Sequence, residues 1–184
     1  MKVVYNRGND FYNWFLGDTM VYTSGIYTDG NDSLEDAQRR KMAMLCQKLQ
    51  LKEGEELLDI GCGWGTLSRF AAKEFGANVL GITICEEQVA WAKKGIEQDG
   101  TGEHCEVKLM DYRDLPNKKF DKIVCVEMAE HVGVLRFQSF LRLVKDRLKD
   151  DGIFVLQIAG LRRAWRFEDL VWVRPMFVNT GYSC

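Results

Sequence analysis

Leu57-Leu58-Asp59-Ile60-Gly61-Cys62-Gly63-Trp64-Gly65-Thr66 is the stretch that decides the fold class of this chain. A short apolar run of strand character, with an acid near its end, leads into glycines at alternate positions, and a helical periodicity follows over 67–75. Glycines at a strand–loop–helix junction permit a tight turn and a close backbone approach to a ligand. The spacing is G-x-G-x-G. It matches neither the G-x-G-x-x-G of dinucleotide-binding folds nor the G-x-x-x-x-G-K-[ST] of phosphate loops, and no lysine stands in it to meet a phosphate.

Outward from this loop, strand-length apolar runs alternate with helical segments. Strands are predicted over 57–60, 78–84, 105–110, 120–126 and 153–158, and helices over 67–75, 86–98 and 135–148. That alternation predicts a doubly wound α/β fold whose mostly parallel sheet is covered on both faces. Upstream, Ser33 is a good N-cap with Glu35 and Asp36 in the first helical turn. The helix runs to about Leu51 on a rough apolar stripe of Leu34, Ala37, Met44, Leu45 and Leu49. Before it come an aromatic segment over 9–16, with Phe11, Tyr12, Trp14 and Phe15, and a loop over 17–32 with Tyr22, Thr23, Ser24 and Gly25. The chain divides into 1–52, a helical segment; 53–160, the α/β core; and 161–184, a tail.

The length of 184 residues suits one domain, and 46% apolar with 28% charged residues is an ordinary globular balance. A formal net charge of -2 argues against a nucleic-acid partner, which needs a basic surface. Cys46, Cys62, Cys85, Cys105, Cys125 and Cys184 form no C-x-x-C pair, so neither a metal site nor a disulfide framework is expected, and a reducing compartment is. The first residues are not a signal peptide, and no apolar run is long enough to cross a bilayer. The expected location is the cytoplasm or the cytoplasmic side of a membrane.

An acid at a strand end followed by G-x-G-x-G resembles motif I of the class I S-adenosylmethionine (SAM)-dependent methyltransferases, a Rossmann-like fold. The resemblance implies SAM as cofactor and carries Asp59, Gly61, Cys62, Gly63, Trp64 and Gly65 as its loop. Asp59 would hold the amino acid end of SAM. Thr83 and Ile84, at the end of the second predicted strand, stand where a ribose-binding acid is common. Gln88, one helical turn on, either reaches the cofactor or is a solvated helix residue. At the third strand end lie Tyr112 and Arg113; Tyr112 either stacks on the adenine or packs as a core aromatic.

Three further stretches sharpen the resemblance: the segment over 8–17 leading into Met20-Val21-Tyr22-Thr23-Ser24-Gly25, the Trp64 inside the glycine loop, and Glu127-Met128-Ala129-Glu130-His131-Val132-Gly133. Together they look like the cyclopropane-fatty-acid and mycolic-acid synthase family, and within it the sphingolipid C9-methyltransferase branch. The resemblance implies methyl transfer to a carbon–carbon double bond of an unsaturated lipid chain at a membrane surface, with loss of one proton to a base. In that family a bound bicarbonate is the base, held in part by the glutamate at Glu130, next to His131. The cyclopropane branch has a histidine where this chain has Gln157, and a cysteine where it has Ser24. Both replacements keep hydrogen-bonding ability without the charge or thiol, which favours the sphingolipid branch. Tyr22 and Thr23 fall to the cofactor by the same resemblance.

The aromatic segment 9–16 would be a lid that offers apolar surface to an acyl chain, or an amphipathic helix packed on the sheet. Arg162, Arg163 and Arg166 with Trp165, Phe167 and Trp172 form a basic aromatic cluster suited to lipid phosphates, or a solvated helix start. The methyltransferase fold normally adds two strands after the fifth. The roughly two dozen residues beyond Ile158 cannot supply both. A chain that stops before its domain is complete is therefore expected, with its fifth strand as an apolar edge. Three other readings compete: a cyclopropane-fatty-acyl-phospholipid synthase, a small-amine N-methyltransferase, and an inactive SAM-binding partner.

Overall fold

The computed structural model describes residues 8–159. The tail over 161–184, with the expected basic aromatic cluster of Arg162, Arg163 and Arg166 with Trp165, Phe167 and Trp172, lies outside the described residues. Helix α1 (Asn9–Leu16) and helix α2 (Leu34–Lys48) precede the sheet. Then follow β1 (Glu56–Ile60), α3 (Thr66–Phe75), β2 (Asn78–Thr83), α4 (Glu86–Asp99), β3 (Cys105–Leu109), β4 (Phe120–Val126), α5 (Val134–Arg147) and β5 (Leu148–Gln157). Two short 3-10 turns, Tyr112–Asp114 and Ala129–Val132, stand at the ends of β3 and β4.

The sheet has five strands in the order β3-β2-β1-β4-β5, and every pairing is parallel. The doubly wound expectation is borne out. The chain winds one way from β1 to β3 and the other way from β4 to β5, so β1 and β4 flank the point where the direction reverses. In such sheets that crevice, at the carboxyl ends of the strands, is where a ligand sits.

Side chains alternate along each strand and fill two separate layers. Leu57, Val79, Val107 and Val124 pack with Cys46 of α2 and Leu49 just after it, Ala71 and Ala72 of α3, and Ala92 and Ile96 of α4. Leu58, Ile60, Ile82, Ile123 and Cys125 face the other way, onto Phe140 and Val144 of α5. Asp59, between Leu58 and Ile60, falls on the α3 side and is hydrogen-bonded there. The continuous apolar character of 57–60 therefore reflects burial on both faces. The five cysteines within the described residues are free thiols.

Local signals set most of the boundaries. Ser33 caps α2: its Oγ accepts from the Asp36 amide at 3.1 Å and donates to the Asp36 carboxylate at 2.7 Å. The fifth strand differs from its predicted span. Lys149-Asp150-Asp151-Gly152 reads as a polar break, but β5 begins at Leu148 and runs through it. A register shift opposite Phe120 and Lys122 absorbs the irregularity. Gly152 makes this possible, since a Cβ there would lie 2.7 Å from the Leu148 side chain. β5 occupies one edge of the described sheet, its apolar residues only partly buried.

The third glycine of the loop is a packing residue. Gly65 has φ +75° as the N-cap of α3, and a Cβ on it would meet the Ala92 Cβ of α4 at 2.8 Å. Gly65→Ala combines a left-handed alanine with a clash between two helices, and should cost about 2–4 kcal/mol. Urea unfolding of the full chain measures this; an unchanged midpoint would refute the packing role.

Candidate functional site

A cavity of about 350 Å³ opens at the carboxyl ends of β1 to β4, at the reversal point of the winding. Of the residues singled out in the sequence, Tyr22, Thr23, Asp59, Gly61, Cys62, Gly63, Trp64, Thr83, Ile84, Gln88, Tyr112, Arg113 and His131 all line it. Gly65 does not, for the reason given above. Ser24 is exposed beside the cavity rather than in its wall.

Asp59 is 2% exposed and its Oδ2 accepts a 2.7 Å hydrogen bond from Ser68 Oγ of α3. Burial raises its pKa from 3.8 to about 6, with the Ser68 bond pulling the other way. The carboxylate thus stands in the wall of a cavity, desolvated and held by one neutral donor. Gly63, at φ +57°, faces open space: among the described residues a Cβ there would meet only Gln88 Nε2, at 4.0 Å. Gln88 is itself fixed, because Thr83 Oγ1 donates to its Oε1 at 2.6 Å, within a buried pair. The bond engages the amide oxygen of Gln88 and leaves its NH₂ group to donate to a ligand beside Gly63. A bare backbone, an amide donor and a buried acid together fit a ligand that presents donors and acceptors along its length, as SAM does.

Tyr112 lines the cavity while its ring stacks edge-on against Phe140 at 5.3 Å, so packing holds it in place at the cavity wall. Arg113 pairs with Asp111 through Nε at 2.9 Å and Nη2 at 2.6 Å, and that guanidinium holds the Asp111 carboxyl below its usual range. Trp64 is buried against Tyr12 of α1, ring centroids 4.8 Å apart, and its indole N–H donates to Asn9 Oδ1 at 2.7 Å. Asn9 donates in turn to the Glu87 carbonyl at 3.2 Å. Helix α1 therefore covers the glycine loop with Tyr12 and Leu16, and leaves Phe11, Trp14 and Phe15 exposed, Trp14 by 83%.

The four candidates for the chemical step are not gathered in the cavity wall. His131 lines it, and burial lowers its pKa while Glu130 raises it. Glu130 turns toward the end of β5, where its Oε1 accepts from the Ala159 amide at 2.6 Å. Gln157 donates through Nε2 to Glu127 Oε1 at 2.8 Å. Its carbonyl also accepts from the Glu127 amide at 2.8 Å.

Those bonds expose a residue that sequence reasoning missed. Glu127 lines the cavity with a left-handed backbone, φ +51°. Met20, at φ +49°, is a second strained lining residue. Non-glycine residues in this region are uncommon and cluster where function requires them. Two polar residues on the buried face of α2 were missed as well. Gln38 donates through Nε2 to the Thr23 carbonyl at 2.6 Å, and Lys41 donates through Nζ to Thr23 Oγ1. Their signal was available: positions 38 and 41 fall on the same helical face as Ala37, Met42 and Leu45.

A sequence model of the family described as mycolic acid cyclopropane synthetase matches residues 1–177. The chain belongs to that family. It is 52% identical over 186 residues to the sphingolipid C9-methyltransferase of Komagataella phaffii, covering 95% of this chain and 38% of the relative. It is 42% identical over 162 residues to the cyclopropane-fatty-acyl-phospholipid synthase of Escherichia coli, covering 88% of this chain and 41% of that one. Among solved structures it resembles a cyclopropane synthase from Mycobacterium tuberculosis, with a TM-score of 0.83 at 31% identity, over 95% of this chain and 62% of that chain. A mycolic acid cyclopropane synthase complexed with SAH and CTAB matches with a TM-score of 0.82 at 27% identity, over 97% and 62%. The chain thus spans well under half the length of the curated relatives named. No helix among the described residues is long and apolar enough to cross a membrane.

Burial of Asp59 has a measurable consequence for this family member. The folded carboxyl binds its proton more tightly than an unfolded one, so the folded state is favoured below about pH 3.8 and loses that advantage as pH rises through about 6. Asp59→Asn should raise the stability of the ligand-free chain at pH 7 by about 1–3 kcal/mol and flatten its pH dependence between those values. Thermal melts at pH 4, 5, 6 and 7 read this directly. A destabilised Asn variant with the slope intact would refute the reading.

Proposed function

We propose that this chain is the cofactor-binding part of a SAM-dependent carbon methyltransferase that methylates a double bond in an unsaturated lipid chain, with a sphingolipid as acceptor. The observation that carries the reading is the open approach at Gly63, between buried Asp59 and the amide of Gln88. The sphingolipid assignment is supported by the six sphingolipid C9-methyltransferases that match at 45–52% identity.

When bound, SAM supplies an electrophilic methyl group on a positively charged sulfur. In this reading Asp59 accepts from the amino group of its methionine end, and Gly61, Cys62, Gly63 and Gly65 form the turn that lets the backbone approach. Gln88, oriented by Thr83 and followed along the rim from Ile84, donates to the ribose. Tyr112 and Arg113 border the adenine, while Tyr22, Thr23 and Trp64 close over the other end and exclude water. Glu127 contributes the negative potential that a cationic centre needs in a dry cavity. Glu130 and His131, with Gln157 and Ser24, hold in this proposal the base that takes the proton from the methylated acceptor, a bicarbonate ion. Phe11, Trp14, Phe15 and Tyr22, exposed on and beside α1, form the aromatic surface that meets the lipid at the membrane.

Two measurements on the full chain test this. Calorimetric titration with S-adenosylhomocysteine should give one-site binding that Gly63→Val abolishes; a folded chain that binds none would sink the proposal. Methyl-labelled SAM should then transfer label to an unsaturated sphingolipid in vesicles and leave a methyl-branched alkene. Label in an unsaturated phospholipid instead, with cyclopropane ring protons at high field, would replace the acceptor with that of the synthase branch.

A further inference from the structure

Lys41 is a charged residue on the buried face of α2, at mid-helix. It is 3% exposed, on the sheet-facing side of α2, and it lines the cavity. A buried ammonium normally has an ionic partner, since leaving it alone is costly. Lys41 instead donates to the neutral hydroxyl of Thr23, and among the described residues it makes no ion pair. Glu127 acts on it electrostatically, but burial outweighs that attraction and lowers the lysine pKa from 10.5 to about 8. An ammonium carries three donors, and the Thr23 hydroxyl takes one.

The position of this cation within the cavity is informative. The sheet order places β3 and β2 at one end of the site and β1 and β4 at the other. Tyr112 and Arg113 follow β3, and Thr83 and Gln88 belong to the end of β2, so the nucleoside side of the proposed cofactor lies there. Lys41 sits with Thr23 and within electrostatic reach of Glu127, which follows β4. That is the opposite end, where an elongated ligand would place its amino acid tail.

Helix α2 also holds the loop that carries Thr23. Gln38 binds the Thr23 carbonyl, the Ile26 amide donates to the Ala37 carbonyl at 3.0 Å, and Arg40 donates to the Ile26 carbonyl at 3.0 Å. Arg40 is itself anchored by two 2.7 Å bonds to the Asp32 carboxylate. The hydroxyl of Thr23 and the ammonium of Lys41 are therefore presented side by side from a fixed frame.

We propose that Lys41, with Thr23, receives the α-carboxylate of the cofactor's methionine end, as the cation that balances it. The proposal rests on the SAM reading above. It divides the tail between two buried charges of opposite sign, with Asp59 for the ammonium group and Lys41 for the carboxylate.

The test is titration of the full chain and of Lys41→Met with two ligands: S-adenosylhomocysteine, and its decarboxylated analogue, which keeps the amine and lacks the carboxylate. The Met variant should bind S-adenosylhomocysteine about 10–100-fold more weakly and the decarboxylated analogue as well as the unaltered chain does or better. Lys41→Arg, which keeps the charge, should recover part of the loss. Retained binding of the analogue also shows that Lys41→Met folds. Equal losses for both ligands would make Lys41 a structural residue and overturn the proposal, as would equal retention of both. Repeating the titrations with and without bicarbonate separates the other candidate anion: a loss seen only with bicarbonate present would assign the lysine to that ion instead. If the unaltered chain binds neither ligand, the SAM reading itself fails and this inference with it.

Discussion

A carboxylate taken out of water at the end of β1 is the constraint around which this end of the molecule is arranged. Asp59 is surrounded by the sheet and by α3, with a single hydroxyl to bond it. Burial of that kind favours the protonated acid, which is a cost to the empty protein at neutral pH. A cationic or N–H-donating ligand group reverses the sign of that cost. The glycine loop follows immediately because the backbone must leave β1, border the cavity and enter α3 within a few residues. Trp64, inside the loop, lines the cavity and also seats α1 through Tyr12 and Asn9. The chain thus uses one loop for three purposes: an open approach at Gly63, helix packing at Gly65, and the covering helix at Trp64.

Opposite this loop, α2 acts as a frame for the segment around Thr23 more than as a packing element. Its outward residues are solvated, but its inward face mixes Ala37 and Leu45 with Gln38 and Lys41. Four side-chain or backbone bonds to 23–26 hold a loop that would otherwise be free to fluctuate. Fixing a loop in advance lowers the entropy lost when a ligand binds against it. The left-handed backbones at Met20 and Glu127 fit the same logic. Each is an unfavourable local conformation held by its surroundings, and Glu127 is held from both sides by Gln157.

What was legible in the sequence and what was not divides along the range of the interactions. Strands, helices and the glycine loop depend on neighbours within a turn or two, and the alternation of 57–60, 78–84 and 120–126 with helical segments located them. Asp59 was legible because an acid inside an apolar strand run violates the local pattern. Glu127 was not, since what marks it out is a left-handed backbone and a pair of bonds to Gln157, thirty residues away and on another strand. Gln157 was read by resemblance as standing where the cyclopropane branch has a histidine, and its bonds to Glu127 are a contact that no spacing rule encodes. Lys41 was passed over for a different reason. A lysine in a helix is ordinarily solvated, and only the phase of the apolar stripe reveals that this one points inward. The start of β5 at Leu148 was hidden by Lys149, Asp150 and Asp151, which are charged but lie at the start of a strand on the edge of the described sheet, where Asp150 and Asp151 are exposed and Lys149 pairs with Asp121.

The two halves of the cavity differ in how completely their polar groups are satisfied within the described chain, and that difference bears on chemistry. On the side of β1 and β2, Thr83 bonds Gln88, Ser68 bonds Asp59 and Trp64 bonds Asn9, all within one rigid frame. On the side of β4, the residues proposed for the chemical step are tied to the end of β5: Glu127 and Gln157 to each other, Glu130 to the Ala159 amide. A methyl donor must be held rigidly before an acceptor arrives, because the reaction depends on alignment more than on any group the protein itself transfers. The acceptor side has the opposite requirement, since a long apolar chain must enter and leave. The bonds of Glu127 and Glu130 tie them to β5, at one edge of the described sheet, while Asp59, Thr83 and Gln88 are bonded among β1, β2 and the helices that follow them. In the function proposed above, holding the methyl donor and exchanging the lipid are tasks that fall on opposite sides of the β1–β4 boundary.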